Sequence, residues 1–306
     1  MWIIRCSPSS PTSLPDVPYA APATQRLQRG AGEVRAEFAA PDAGRPPSAT
    51  RLRDLYQTAP GRALLPRPEP DDPAMLVLLT TSGGLAGGDR MQVGVTLDPG
   101  ASVMVLAQAA EKIYRAAEAD ADTELLQSLR VGAGAWAEWL PQETILFDGA
   151  RFRRSLNIDL AAGARLLLGD LLVYGRTARG ERWQQGRLHD RWDLRRDGRL
   201  VWTERQSLQD DIPAILDAPA GFDGAVAQGM ILYAAPDALT DALAERLRGA
   251  LAEPDVRVGL TRLDGFVLLR LLSRNPQSAR HSFGQAWSIL RHQAGWPAGL
   301  PRLWLR

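Results

Sequence analysis

Residues 91–105 read MQVGVTLDPGASVMV, and their reading decides the fold. Met91, Val93, Val95 and Leu97 alternate with small or polar residues, Asp98-Pro99-Gly100 breaks the run, and Val103 and Val105 resume the same alternation. A period of two with a proline-glycine break predicts strand, turn, strand. The grammar returns twice: Leu129 and Val131 lead into Gly132-Ala133-Gly134-Ala135, and Leu156, Ile158 and Leu160 lead into Ala161-Ala162-Gly163-Ala164. Spacings near 30 residues predict stacked, similar β-units, with independent glycine-turn hairpins as the alternative.

Outward from this stretch, residues 32–38 and 50–56 alternate as strands. Asp197-Gly198 between Trp192, Leu194 and Leu200, Trp202 predicts a hairpin, and Asp264-Gly265 predicts another. Residues 75–235 are therefore read as mainly β. Two helices are expected late in the chain. Residues 237–252 place Leu239, Leu243, Leu247 and Leu251 on one face between Pro236 and Pro254, and residues 278–292 carry Phe283, Trp287 and Leu290 at helical spacing. Residues 7–24, rich in proline and serine, predict a flexible arm within residues 1–24, ahead of one domain over 25–306.

The net charge of +1 and the absence of a long basic run argue against nucleic-acid binding. Apolar stretches too short to span a bilayer argue against a membrane protein, and the run in Met1-Trp2-Ile3-Ile4 is too short for a secretory core. One cysteine, Cys6, permits no internal disulfide, which points to a cytoplasmic location.

Catalytic patterns are few. The glycine-rich residues 82–90 follow an apolar strand, as a phosphate loop would, but Asp89-Arg90 stands where a Gly-Lys-Ser/Thr ending is required. The glycines are read instead as sites of close chain packing. The three histidines show no metal-ligand spacing, and no nucleophile elbow occurs. Glu143, Asp148 and Glu181 are the carboxylates from which a β-rich glycoside hydrolase would draw an acid pair.

Five segments in order carry a resemblance: residues 80–90 (TTSGGLAGGDR), 108–115 (QAAEKIYR), 139–143 (WLPQE), 147–150 (FDGA) and 175–181 (GRTARGE). From about Gly30 to Trp304 the chain resembles the urease accessory protein UreD (UreH) family. Glu111 and Ala86 depart from it, standing where the family often has threonine and a larger or hydroxyl residue. The resemblance implies a predominantly β, helix-like stack with few α-helices. It also implies a non-catalytic scaffold that binds urease apoprotein and UreF- and UreG-like proteins, and that passes nickel onward through an internal tunnel without a tightly bound cofactor.

Transit suits oxygen ligands that release the ion as readily as they take it. Asp89 and Glu181, each in a loop matching a family motif, are the carboxylates expected in the passage, with Asp148 and Asp170 as further candidates; pairing with Arg90 and Arg176 as structural salt bridges is the competing reading. The two late helices, with Phe283, Trp287 and Leu290, are expected at a partner interface or packed on the chain's own sheet.

Overall fold

The computed structural model describes residues 29–46, 49–235 and 240–305. The expected arm over 1–24 and the first residues of the helix expected over 237–252 lie outside them. Four turns of chain are stacked in register. Strands β4 (Ala74–Thr80), β6 (Ser102–Ala107), β9 (Trp136–Leu140) and β12 (Arg165–Tyr174) pair in parallel along one sheet. Strands β5 (Arg90–Leu97), β8 (Thr123–Val131), β11 (Arg151–Leu160) and β13 (Arg187–Arg196) do so along a second. Ala74 stands beside Val103, Ser102 beside Trp136, and Trp136 beside Arg165, so successive turns are offset by 29, 34 and 29 residues.

The reversals stack as well. Gly100 N–H donates to Ala133 O (3.0 Å) and Gly134 N–H to Ala162 O (3.3 Å), with φ of 76°, 64° and 69° at Gly100, Gly134 and Gly163. That left-handed backbone, required once per turn of chain, is why the glycine recurs. A narrow third side holds the three-residue strands β7 (Glu111–Ile113) and β10 (Thr144–Leu146), which pair with each other, and β10 pairs with the end of β12. Leu85 bridges Ile113 there, so residues 82–90 are the first turn's share of this side. They lead into strand β5, not a helix. A Cβ at Gly84 (φ 145°) would lie 2.7 Å from Lys112 O. Gly84→Val is therefore expected to reduce the yield of soluble protein, measured by expression at matched induction; normal yield would overturn the close-packing account.

Further strands, all but the first antiparallel to the neighbour they extend, close both sheets. β1 (Ala31–Ala39) and β2 (Arg51–Thr58) complete one side of the seven-stranded sheet, and β14 (Arg199–Leu208) ends the other. The ten-stranded sheet gains β3 (Gly61–Leu64), β15 (Ala227–Ala234), β16 (Val256–Leu263) and β17 (Phe266–Ser273). Both expected hairpins form, β13–β14 and β16–β17. One core lies between the sheets, built from residues in phase with Val93, Leu129 and Ile158.

A second core lies on the far side of the ten-stranded sheet, under the helices α2 (Asp241–Ala250) and α3 (Pro276–Gln293). Strand β12 is therefore buried on both faces and reads as a nearly continuous apolar run. α2 is capped by the Thr240 hydroxyl and α3 by Asn275, with Pro276 in its first turn. Two shorter helices, α1 (Ile212–Asp217) and α4 (Arg302–Leu305), were not expected, since four to six residues are too few to show a period. No helix among the described residues is long and apolar enough to cross a membrane.

Phe283, Trp287 and Leu290 are buried against the chain's own sheet, so these side chains are not surface available to a partner. Phe283 stacks on Trp287 and on Trp304, each at 5.9 Å between ring centroids. A Cβ on Gly169 of β12 would lie 2.4 Å from Phe283 and 2.9 Å from Trp287, so that glycine is what lets the helix approach. The exposed residues of α3 are others, among them Gln277, His281 and His292.

Candidate functional site

Between the sheets the alternation that builds the apolar core admits charge at a few inward positions. Arg154 falls in phase with Phe152, Leu156 and Ile158, and Asp190 with Leu188, Trp192 and Leu194; Asp170 faces them from β12. Arg154 donates from Nη1 and Nη2 to the two oxygens of Asp170 (2.7 and 2.6 Å), and from Nε and Nη2 to those of Asp190 (2.9 and 2.5 Å). All three are buried. Burial alone would lower the guanidinium pKa, but Asp170 and Asp190 together raise it, so the arginine stays charged. Two carboxylates thus share one guanidinium in an interior where an uncompensated charge is costly.

Arg154 and Asp170 line a cavity of about 200 Å³ between the sheets. Its walls are largely apolar, with Gln127 inward on β8 between Leu125 and Leu129. At its other end the lining reaches Thr80, Gly84 and residues 108–112, where Gln108 and Ala109 are exposed, so the cavity opens to solvent at that loop. Glu111 stands at this mouth. Burial pushes its carboxyl above the usual range, opposed by the Thr80 hydroxyl, which donates to Oε2 at 2.7 Å, and by Lys112.

Polar side chains continue past the inner end of the cavity. Gln206, cross-strand from Asp190, donates from Nε2 to Gln228 Oε1 (2.7 Å) and to the Tyr174 hydroxyl (3.2 Å), and Tyr174 donates to Gln228 Oε1 at 2.6 Å. Burial raises the Tyr174 phenol far above its ordinary pKa, so it stays neutral. Glu204, two residues before Gln206 on the same face, pairs with Arg270 of β17, and both are partly exposed. Glu111 stands at the mouth of the cavity, Asp170 lines its interior, and Glu204 is partly exposed beyond the Tyr174–Gln206–Gln228 cluster.

The four carboxylates expected from sequence fall in three places. Asp170 alone lines the cavity. Asp89 accepts hydrogen bonds from Gly30 N (2.7 Å) and Ala86 N (2.8 Å) and so fastens the glycine-rich loop; Arg90 turns to Glu124 at 3.7 Å, so the Asp89–Arg90 pair does not form. Glu181 does pair with Arg176 (Nε at 3.0 and 3.1 Å) and accepts from Asp148 N at 3.1 Å. Asp148 accepts from Gln184 N and Gln185 N (2.8 and 2.9 Å) and from Arg115 (2.9 Å). The structure brings these two together as the tie of one turn. Glu143 is engaged by Arg280, so each carboxylate considered for a hydrolase pair is held by an arginine. Among the described residues no three metal-binding side chains cluster.

The hydrogen bonds from Arg176 hold the Glu181 carboxyl down at about 2. A depressed folded-state pKa contributes stability that is present above the unfolded value, near 4.5, and fades as pH falls toward 2. Glu181→Gln is thus expected to lower the urea midpoint at pH 7 and to leave it unchanged near pH 2; an equal loss at both pH values would count against the ion pair.

Arg154 and Asp190 escaped the sequence reading. Their signal was a charged residue in phase with inward apolar ones, and the pairing partner lies on the opposite sheet, where local sequence does not reach.

A family model described as the UreD urease accessory protein matches residues 30–305. The chain is 42% identical over 260 residues to a urease accessory protein UreD of Magnetococcus marinus, covering 83% of this chain and 89% of that protein. It is 43% identical over 256 residues to one from a Bradyrhizobium species (84% and 88% covered), and 39% identical over 282 residues to one from Rhodopseudomonas palustris (92% and 95% covered).

Proposed function

This chain belongs to the UreD family of urease accessory proteins, and on that premise we propose that it is a non-catalytic scaffold that binds urease apoprotein with UreF- and UreG-like proteins and carries nickel between them. The observation that carries the reading is the buried pair Asp170–Asp190 sharing Arg154 beside a cavity open to solvent. A passing divalent cation supplies the positive charge that the second carboxylate lacks. Nickel enters as a hydrated ion at Thr80 and Glu111, meets Gln127 and Asp170 within, and leaves past the Tyr174 hydroxyl and the Gln206 and Gln228 amides toward Glu204. Oxygen donors of this kind bind weakly enough to release the ion. Asp89 and the Glu181–Asp148 tie fix loops outside the cavity lining. The single cysteine favours a reducing cytoplasm.

The test is urease activation in cells with the gene deleted and then restored. Activation is expected to collapse on deletion at limiting nickel and to return with the restored gene; activation unaffected by deletion would overturn the reading.

A further inference from the structure

The outward face of the seven-stranded sheet is unevenly charged. Over β11, β13 and β14, two acidic nodes each gather three guanidiniums. Asp122 meets Arg187 (2.9 Å), Arg153 (3.6 Å) and Arg151 (3.7 Å), and Asp193 meets Arg191 (2.5 Å), Arg205 (2.9 Å) and Arg195 (3.8 Å). Asp159 is the remaining acid on these strands' outward side. Six arginines thus face three carboxylates, in a chain whose net charge is +1.

The array is held in place. Asp193 is fully buried beneath its arginines. Burial would raise its carboxyl, but Arg191, Arg205 and Thr203 bond to it and keep it ionised. The Arg153, Arg191 and Arg205 side chains remain about half exposed, at 54%, 54% and 47%. Arg191 and Arg205 stand directly cross-strand, a like-charge pairing that a sheet tolerates only with such neutralisation. At the sheet's other edge the balance differs: Arg51 pairs with Asp42, and Arg53 with both Glu37 and Asp98.

β14 is also the terminal strand, paired on one side by β13 and, among the described residues, by nothing on the other. Leu200, 49% exposed, stands cross-strand from Arg195 on this outward face. A free edge of ten residues is a template for strand addition. A second copy pairing edge to edge would set one arginine-bearing face beside another, so the charge selects a different chain.

We propose that β14 and its arginine face dock an extended acidic segment of a protein partner, which adds a strand to the free edge and sets carboxylates at alternate positions over Arg191 and Arg205. Main-chain hydrogen bonds then supply affinity, and the charge pattern supplies register and choice of partner. The proposal rests on the accessory reading only in placing that partner within the urease assembly.

The test uses the full chain with purified urease apoprotein, UreF-like protein and UreG-like protein, each titrated separately. Arg153→Glu with Ser207→Glu, the latter outward on β14 beside Arg205, leaves the Asp193 node intact; Arg246→Glu with Arg248→Gln on the exposed side of α2 is the equal-charge control. One of the three proteins is expected to bind about tenfold more weakly to the first variant and within about twofold to the control. Ser207→Glu alone, which breaks no ion pair among the described residues, should weaken the same protein in the same direction. If all three bind both variants alike, the docking face is wrong while the accessory reading stands; if none binds the wild-type chain, the accessory reading fails and the proposal falls with it. Binding of a short DNA duplex that only the β14 variant loses, with protein binding unchanged, would overturn it in favour of nucleic acid.

Discussion

Trp287→Ala is expected to destabilise the chain by about 3–5 kcal/mol, the range for emptying a large aromatic site in a packed interior. The indole is fully buried, stacks on Phe283, and occupies space that Gly169 of β12 leaves open. Little can collapse into the void. β12 is already buried on both faces, and the helix is tethered nearby by Arg291, whose guanidinium donates from Nε to both oxygens of Glu138 (3.0 Å) and from Nη2 to Asp72 (2.7 Å). Leu290→Ala should cost about 2–5 kcal/mol on the same grounds. Urea unfolding of the purified chain checks both, and a loss below about 1 kcal/mol for Trp287→Ala would mean that the helix is not seated on the sheet as described. Such variants would lose partners through unfolding, so a partner interface on α3 is better probed at His281 or Gln277, which are exposed.

The sequence was most legible where one physical demand repeats. A reversal needing left-handed backbone every 29 to 34 residues leaves a glycine at 100, 134 and 163, and the alternation before each names the inward face. That was enough to predict a stack of similar β-units. What stayed hidden was set by partners distant in sequence or by elements too short to have a period. β7 and β10 are three residues each and exist only because neighbouring turns pair with them. The helix 278–292 was visible as an apolar face, but which surface that face meets depends on Gly169, more than 100 residues earlier.

The site divides in the same way. Asp170 could be seen as a charge interrupting an apolar run, and Asp89 and Glu181 as loop ends, yet loop carboxylates are also what backbone amides and nearby arginines capture. That is their fate here: Asp89 holds two amides, and Glu181 holds Arg176 and an amide. Asp170 differs because its partner is contested by a second carboxylate.

Asp170→Asn should therefore separate transport from stability. Asparagine keeps the volume and one acceptor toward Arg154, and Asp190 still engages the guanidinium through Nε and Nη2, so no charge is stranded. The fold and the complexes with urease apoprotein and the other accessory proteins are expected to survive. The interior loses its excess carboxylate, and with it the attraction that draws a divalent cation past the apolar walls of the cavity. Nickel delivered to urease at limiting supply should fall about tenfold, equivalent to ~1.4 kcal/mol on the transfer step, and recover when nickel is in excess. Arg154→Met is the opposite case. It leaves Asp170 and Asp190 buried and facing each other without a cation, which should cost about 3–5 kcal/mol and appear as loss of soluble protein. Glu181→Gln, away from the cavity lining, supplies the control: a change in the urea midpoint at pH 7 with nickel delivery preserved. Full activation by Asp170→Asn at limiting nickel would remove the carboxylate pair from the route. A fall in delivery matched by an equal loss of complex would mean that Asp170 only holds the sheets together.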